Sequence, residues 1–147
     1  MAHLRLSVHV AASPQETFAL FTNLDRMHEW VGGVTAVTDV TGPVDQIGTR
    51  YTTWFGNMSS PTVVIAADAP HLFRTSFGSR LLRGEAQATF EPEGDGTRLV
   101  QEFWTHGLIS AVLGRLFAIG SWKGSFQGEL NTFARIAGAQ HKAEAQT

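Results

Sequence analysis

The chain contains no cysteine. Disulfide frameworks, thiolate metal sites and a cysteine nucleophile are therefore excluded. Charge is sparse as well: 16% of residues are charged, and 11 Lys and Arg against 13 Asp and Glu leave a net charge of −2. A protein that grips nucleic acid electrostatically carries an excess of basic residues, so no nucleic-acid partner is expected. No hydrophobic run is both long enough and charge-free enough for stable membrane insertion. The most apolar stretch, Leu108 to Ile119, is shorter than a span and contains Arg115, so it reads as a buried helix. The opening residues lack the apolar core of a secretory signal, which predicts a cytoplasmic location. What is abundant is apolar: 43% of the 147 residues are hydrophobic, with 10 Phe and 4 Trp. That suffices for one domain with a real core. Residues 1–140 are expected to form it, with 141–147 a polar tail that frays.

Period-two alternation opens the chain. Leu4, Leu6, Val8 and Val10 share one parity and Arg5, Ser7 and His9 the other, as in a half-buried strand. Ser13-Pro14-Gln15-Glu16 then reads as a capping box with Pro at the first helical position, starting a helix through Phe18 and Phe21. Asn23 or Asp25 can cap a second short helix through Met27 and Trp30, stopped by Gly32-Gly33. From Val34 to His106 short strands alternate with Gly/Pro turns: Val34–Val40, Tyr51–Phe55, Thr62–Ala67, Leu72–Phe77, Leu82–Phe90 and Leu99–His106. Asp95-Gly96 is the expected turn of the last hairpin. Ile109, Val112, Leu116, Ile119, Phe126, Leu130, Phe133 and Ala137 then recur at helical spacing, predicting one long amphipathic helix. The sum is an α+β chain: a curved antiparallel sheet of about seven strands wrapped around a long C-terminal helix, with two short helices after the first strand.

The order of these signals resembles the START/Bet v 1-like (SRPBCC) superfamily, in particular its polyketide cyclase/dehydrase-like branch. The resemblance is carried by Ser13-Pro14-Gln15-Glu16 with Phe18, by Asp25 to Trp30, and by Ile47-Gly48-Thr49-Arg50 opening a strand. Pro70 before a strand, Gly96-Thr97-Arg98-Leu99 opening the last strand, and Glu129-Leu130 in the final helix complete it. The resemblance implies a helix-grip fold with an interior cavity for an apolar or amphipathic small molecule. It implies no catalytic motif.

Strand parity names the residues that would line such a cavity. In the strand after Leu82, Gly84, Ala86, Ala88 and Phe90 oppose the polar set Arg83, Glu85, Gln87, Thr89 and Glu91. By the same reading Tyr51, Thr53 and Phe55, then Phe73, Thr75 and Phe77, then Leu99, Gln101, Phe103 and Thr105 face inward. Thr53, Thr75, Gln101 and Thr105 are the polar members, able to orient a carbonyl or hydroxyl or else to bond backbone and buried water. Trp30 is a candidate for the pocket mouth or for the core, as Trp122 and Phe126 are on the long helix. Gly84, Ala86 and Ala88 leave space beside the sheet. Gly120, Gly124 and Gly128 form a bare helical stripe. That stripe lets the sheet approach, leaves volume for a ligand, or marks a helix contact between subunits, so a homodimer stays open.

Catalytic patterns are scarce. Histidines at 3, 9, 28, 71, 106 and 141 show no metal-ligand spacing, so neither metal nor cofactor is expected. His71 and His106, at strand ends, are the candidate general bases. Neither a nucleophile elbow nor a phosphate loop is present. The favoured function is binding of a hydrophobic or amphipathic small molecule such as a lipid, polyketide or aromatic. A cyclase or dehydratase using the same cavity, with an inward His or Tyr51 moving protons, is the first alternative. A protein-interaction module is the second.

Overall fold

The computed structural model describes residues 2–78, 83–106 and 121–146. Seven antiparallel strands form one curved sheet: β1 (Ala2–Val10), β2 (Ala36–Thr38), β3 (Arg50–Phe55), β4 (Met58–Asp68), β5 (Leu72–Gly78), β6 (Arg83–Glu93) and β7 (Gly96–His106). Helix α1 (Pro14–Phe21) and a 3₁₀ helix (Leu24–Glu29) follow β1, and α2 (Ser121–Ala145) closes the chain. The strand order β1-β7-β6-β5-β4-β3-β2 puts the first two strands on opposite edges. The two short helices therefore carry the chain across the sheet, and the meander returns to β1. This is the helix-grip α+β architecture expected.

Local chemistry explains the element boundaries. The Glu16 N–H donates to Ser13 Oγ at 3.1 Å, and the Ser13 N–H donates to the Glu16 carboxylate at 3.3 Å, so the capping box is complete. Such a cap contributes about 1 kcal/mol. Glu16 also meets His141 Nδ1 at 2.9 Å, which ties the start of α1 to the far end of α2. The segment from Gln140, expected to fray, is thus helical through Ala145. The last hairpin turns one residue earlier than expected. Glu93 pairs with Gly96, so the turn is Gly94-Asp95, with Gly94 at φ +59°. A positive φ at the first turn position alone is the II′ pattern. Gly96 itself lies in β7, where a Cβ would collide with the Val10 carbonyl of β1.

Some expectations fall outside the described residues: Leu82, the stretch Leu108 to Ile119, and Gly120. Among the described residues, no helix is long and apolar enough to cross a membrane.

Candidate functional site

Residues directly opposite each other in an antiparallel ladder share a face of the sheet. One line across the inner face runs Leu4–Phe103–Ala86–Thr75–Val64. The next runs Thr105–Gly84–Phe77–Thr62–Tyr51, and Thr53 follows opposite Val37. On the other side lies Leu6–Gln101–Ala88–Phe73–Ala67, then Val8–Leu99–Phe90. Every described strand residue expected to point inward lies on this face: Tyr51, Thr53, Phe55, Phe73, Thr75, Phe77, Gly84, Ala86, Ala88, Phe90, Leu99, Gln101, Phe103 and Thr105.

The face divides into two halves of different character. One is solid. Phe18 and Phe21 of α1 meet Phe90 edge-to-face at 5.3 and 5.5 Å between ring centres, and both also meet Phe73. Phe133 of α2 packs on Phe21 at 5.5 Å and on Trp30 at 5.0 Å. Such pairs add about 0.5–1.5 kcal/mol each beyond the area they bury. Ala88 and Phe90 are each 1% exposed there. Trp30, expected at the pocket mouth or in the core, and Phe73, Ala88 and Phe90, expected along the cavity, are therefore buried members of this aromatic cluster.

The other half is looser. Ala86, Gln101 and Phe103 are half-buried, as are Phe55, Phe77 and Phe126. The Phe126 ring of α2 lies 5.3 Å from that of Phe103. Tyr51, Thr53 and Thr75 are 5%, 6% and 7% exposed. Yet among the described residues neither their hydroxyls nor the Gln101 amide forms a hydrogen bond. No fully sealed side-chain N or O atom among the described residues lacks a partner, so these unpartnered atoms border open space. A buried hydroxyl left unbonded in an apolar surround costs about 1–3 kcal/mol. Burial pushes the Tyr51 phenol up to about 12, so it stays a neutral donor at physiological pH. Thr62 joins this group, its hydroxyl only loosely donating to the Ser60 carbonyl at 3.4 Å.

Two other expectations are corrected. Gly84 does not leave space: a Cβ there would strike the Trp104 carbonyl, and the Phe77 ring tip lies 3.1 Å from the same point. Gly124 and Gly128 are exposed, and among the described residues a Cβ on either would meet nothing within 4 Å. They neither admit the sheet nor widen the interior, because Phe126, Leu130 and Phe133 turn the opposite side of α2 inward. The side chain of Trp122 lies outside the described residues.

The histidines stay off the inner face. His106 has the parity of Trp104, whose ring stacks on His3 at 5.3 Å outside the sheet, and His71 is exposed. His3 and His9 pair with Glu102 at 2.9 Å and Glu93 at 2.7 Å. The candidate bases His71 and His106 thus belong to the surface.

Sequence reasoning gave no structural role to Glu129. Its carboxylate accepts the Gly32 N–H at 2.9 Å, fastening the turn after the 3₁₀ helix to α2. Partial burial pushes its pKa above the ordinary carboxylate value, against the lowering by the Gly32 bond. Two surface depressions are present among the described residues. A cleft of ≈530 Å³ runs over β3, β4 and β5 and touches only Tyr51 and Phe77 of the expected lining. A smaller one of ≈230 Å³ sits between the 3₁₀ helix and β2.

Known proteins place this geometry. No match is found among curated protein sequences. A solution NMR structure from Thermobifida fusca superposes with a TM-score of 0.73 at 22% identity, covering 95% of each chain. A crystal structure from Thermus thermophilus gives 0.66 at 18% identity, covering 94% of this chain and 98% of that one. DynU16, from the dynemicin biosynthetic locus, gives 0.68 at 16% identity over 92% of this chain and 46% of its own. At these identities the likeness establishes the fold alone. The profile of one family matches residues 1–138, nearly the whole chain, and so the chain belongs to the family described as polyketide cyclase/dehydrase and lipid transport.

Proposed function

We propose that this protein binds an apolar small molecule bearing several oxygen functions, of polyketide, aromatic or lipid type, between the looser half of the inner face and α2. The observation that carries the reading is the set of unpartnered polar groups at Tyr51, Thr53, Thr75 and Gln101 among apolar neighbours. A few polar groups in an apolar wall are what orient a ligand whose affinity comes from burial, at about 25 cal/mol per Å². Ala86 supplies the floor, and Phe55, Phe77, Phe103 and Phe126 supply the walls. Tyr51 acts as a donor to a carbonyl oxygen rather than as a base, because its phenol ionises only near 12. This favours holding and orienting a ligand over abstracting its proton. A cyclase that works by folding a flexible chain would use the same donors for positioning.

The test is native mass spectrometry of the protein against hydroxylated anthraquinones and fatty acids, with a Thr53→Val/Thr75→Val/Gln101→Leu variant beside it. The proposal expects a 1:1 complex with an oxygen-bearing aromatic or acyl compound, and its loss in the folded triple variant. Equal binding by both proteins would refute the role given to these groups.

A further inference from the structure

On the outer face of the sheet, arginines stand beside carboxylates. Arg5 lies 3.9 Å from Glu102, Arg98 lies 3.5 Å from Glu93, and Arg74 bonds Glu85 while covering the Trp104 ring at 4.7 Å. Arg50 and Arg83 depart from this pattern. Both are exposed and among the described residues neither forms an ion pair, yet both line the ≈530 Å³ cleft. The cleft takes three consecutive residues from each of β3, β4 and β5: Arg50–Thr52, Pro61–Val63 and Ser76–Gly78. The first and last of each triplet point outward and the middle one inward. Most of the lining strand residues thus belong to the outer face, with Tyr51, Thr62 and Phe77 of the inner face between them.

We propose that this cleft binds a small oxyanion-bearing molecule, a carboxylate or a phosphate, between the Arg50 and Arg83 guanidinium groups. The two arginines rise from β3 and β6, three strand spacings apart and offset by two residues along the ladder, about 16 Å at the backbone. Val63 and Ser76 lie between them on the outer face and line the cleft. A guanidinium offers a planar fork of donors matched to carboxylate and phosphate oxygens. The hydroxyls of Thr52 and Ser76 lie along the same floor as neutral donors. Asp39 is the one carboxylate on the rim. It accepts the Thr38 hydroxyl at 2.9 Å and pairs with neither arginine, so the described lining keeps a net positive charge. The volume suits a small molecule rather than a macromolecular surface.

The experiment is an amide NMR titration with inorganic phosphate and, separately, succinate at constant ionic strength. The proposal expects saturable shifts at Arg50, Thr52, Val63, Ser76 and Arg83. It expects Arg50→Gln and Arg83→Gln each to weaken binding by at least about fivefold, as loss of a charge-assisted bond requires. Arg135→Gln, at an exposed α2 arginine that also lacks an ion pair among the described residues, should change nothing. Saturation by phosphate alone or by succinate alone identifies the head group. Non-saturating shifts, or equal weakening by Arg135→Gln, would reduce the effect to general charge screening and overturn the proposal. Circular dichroism melts of the variants separate loss of binding from loss of fold.

Discussion

Ala86 and Ala88 sit two residues apart on one strand and face the same way, but the structure assigns them opposite surroundings. Ala88 is 1% exposed, with Phe73 and Gln101 across its ladders, whereas Ala86 is half-buried between Thr75 and Phe103. Leucine at either position adds three carbons. At Ala88 they enter a filled core, and overpacking of this kind costs about 1–3 kcal/mol. At Ala86 they enter open space, where each methylene buried is worth up to about 0.8 kcal/mol, so the change should be neutral or stabilising. Urea denaturation of the two variants should therefore differ by about 1–5 kcal/mol, the sum of those two effects. Ala86→Leu should in addition abolish binding of any interior ligand. If Ala86→Leu loses as much stability as Ala88→Leu, the space beside Ala86 is already filled and the division of the inner face into two halves is wrong.

Further consequences can be checked on the same protein. Gly84→Ala should destabilise by about 1–3 kcal/mol through the clash with the Trp104 carbonyl, whereas Gly128→Ala, exposed in a helix, should stabilise by up to about 1 kcal/mol. A thermal melt of each variant decides, and equal effects would contradict the placement of the two glycines. Tyr51→Phe removes a hydroxyl with no partner among the described residues, so stability should not fall and should rise by up to about 3 kcal/mol, while ligand affinity falls about two- to tenfold. A fluorescence titration beside a melt separates the two readings. Glu129 has a raised folded pKa, so its contribution to stability is present at acid pH and is lost as pH rises through that pKa. Glu129→Gln keeps an acceptor for Gly32 and removes the desolvated charge. It should gain less than about 1 kcal/mol at neutral pH, discounted for partial exposure, and nothing near pH 3. A loss of stability at neutral pH would show that the charge itself matters.

How much was legible in the sequence depended on which neighbours a residue has. The inner face of β6 could be read because Arg83, Glu85 and Gln87 alternate with Gly84, Ala86 and Ala88, so water and core declare themselves. The strand β4 could not be read this way. Val63, Val64 and Ile65 are apolar on both parities, and a register shift between Val64 and Ala66 breaks the alternation, which hid Thr62. The aromatic core was half visible. Helical spacing buries Phe18 and Phe21, but their meeting with Phe73, Phe90 and Phe133 is long-range and no local pattern encodes it. Two of the readings of the glycine stripe, sheet approach and ligand volume, could have been excluded from the sequence. At about 100° per residue Gly128 lies nearly opposite Phe126 and Leu130, so the side bearing the aromatic residues had to be the inner one. Arg83 was seen only as an outward marker and Arg50 only as the residue opening a strand, because a missing ion pair is a property of the folded sheet.

The central claim is that a guest lies against the looser half of the inner face. Intermolecular NOEs from a bound, isotope-filtered hydroxyanthraquinone to the protein methyl groups test it most directly. The account predicts contacts to the methyls of Thr53, Thr75 and Ala86, and none to Ala88 in the sealed core or Val63 on the outer face. Contacts confined to Val63 and its outer-face neighbours would contradict it.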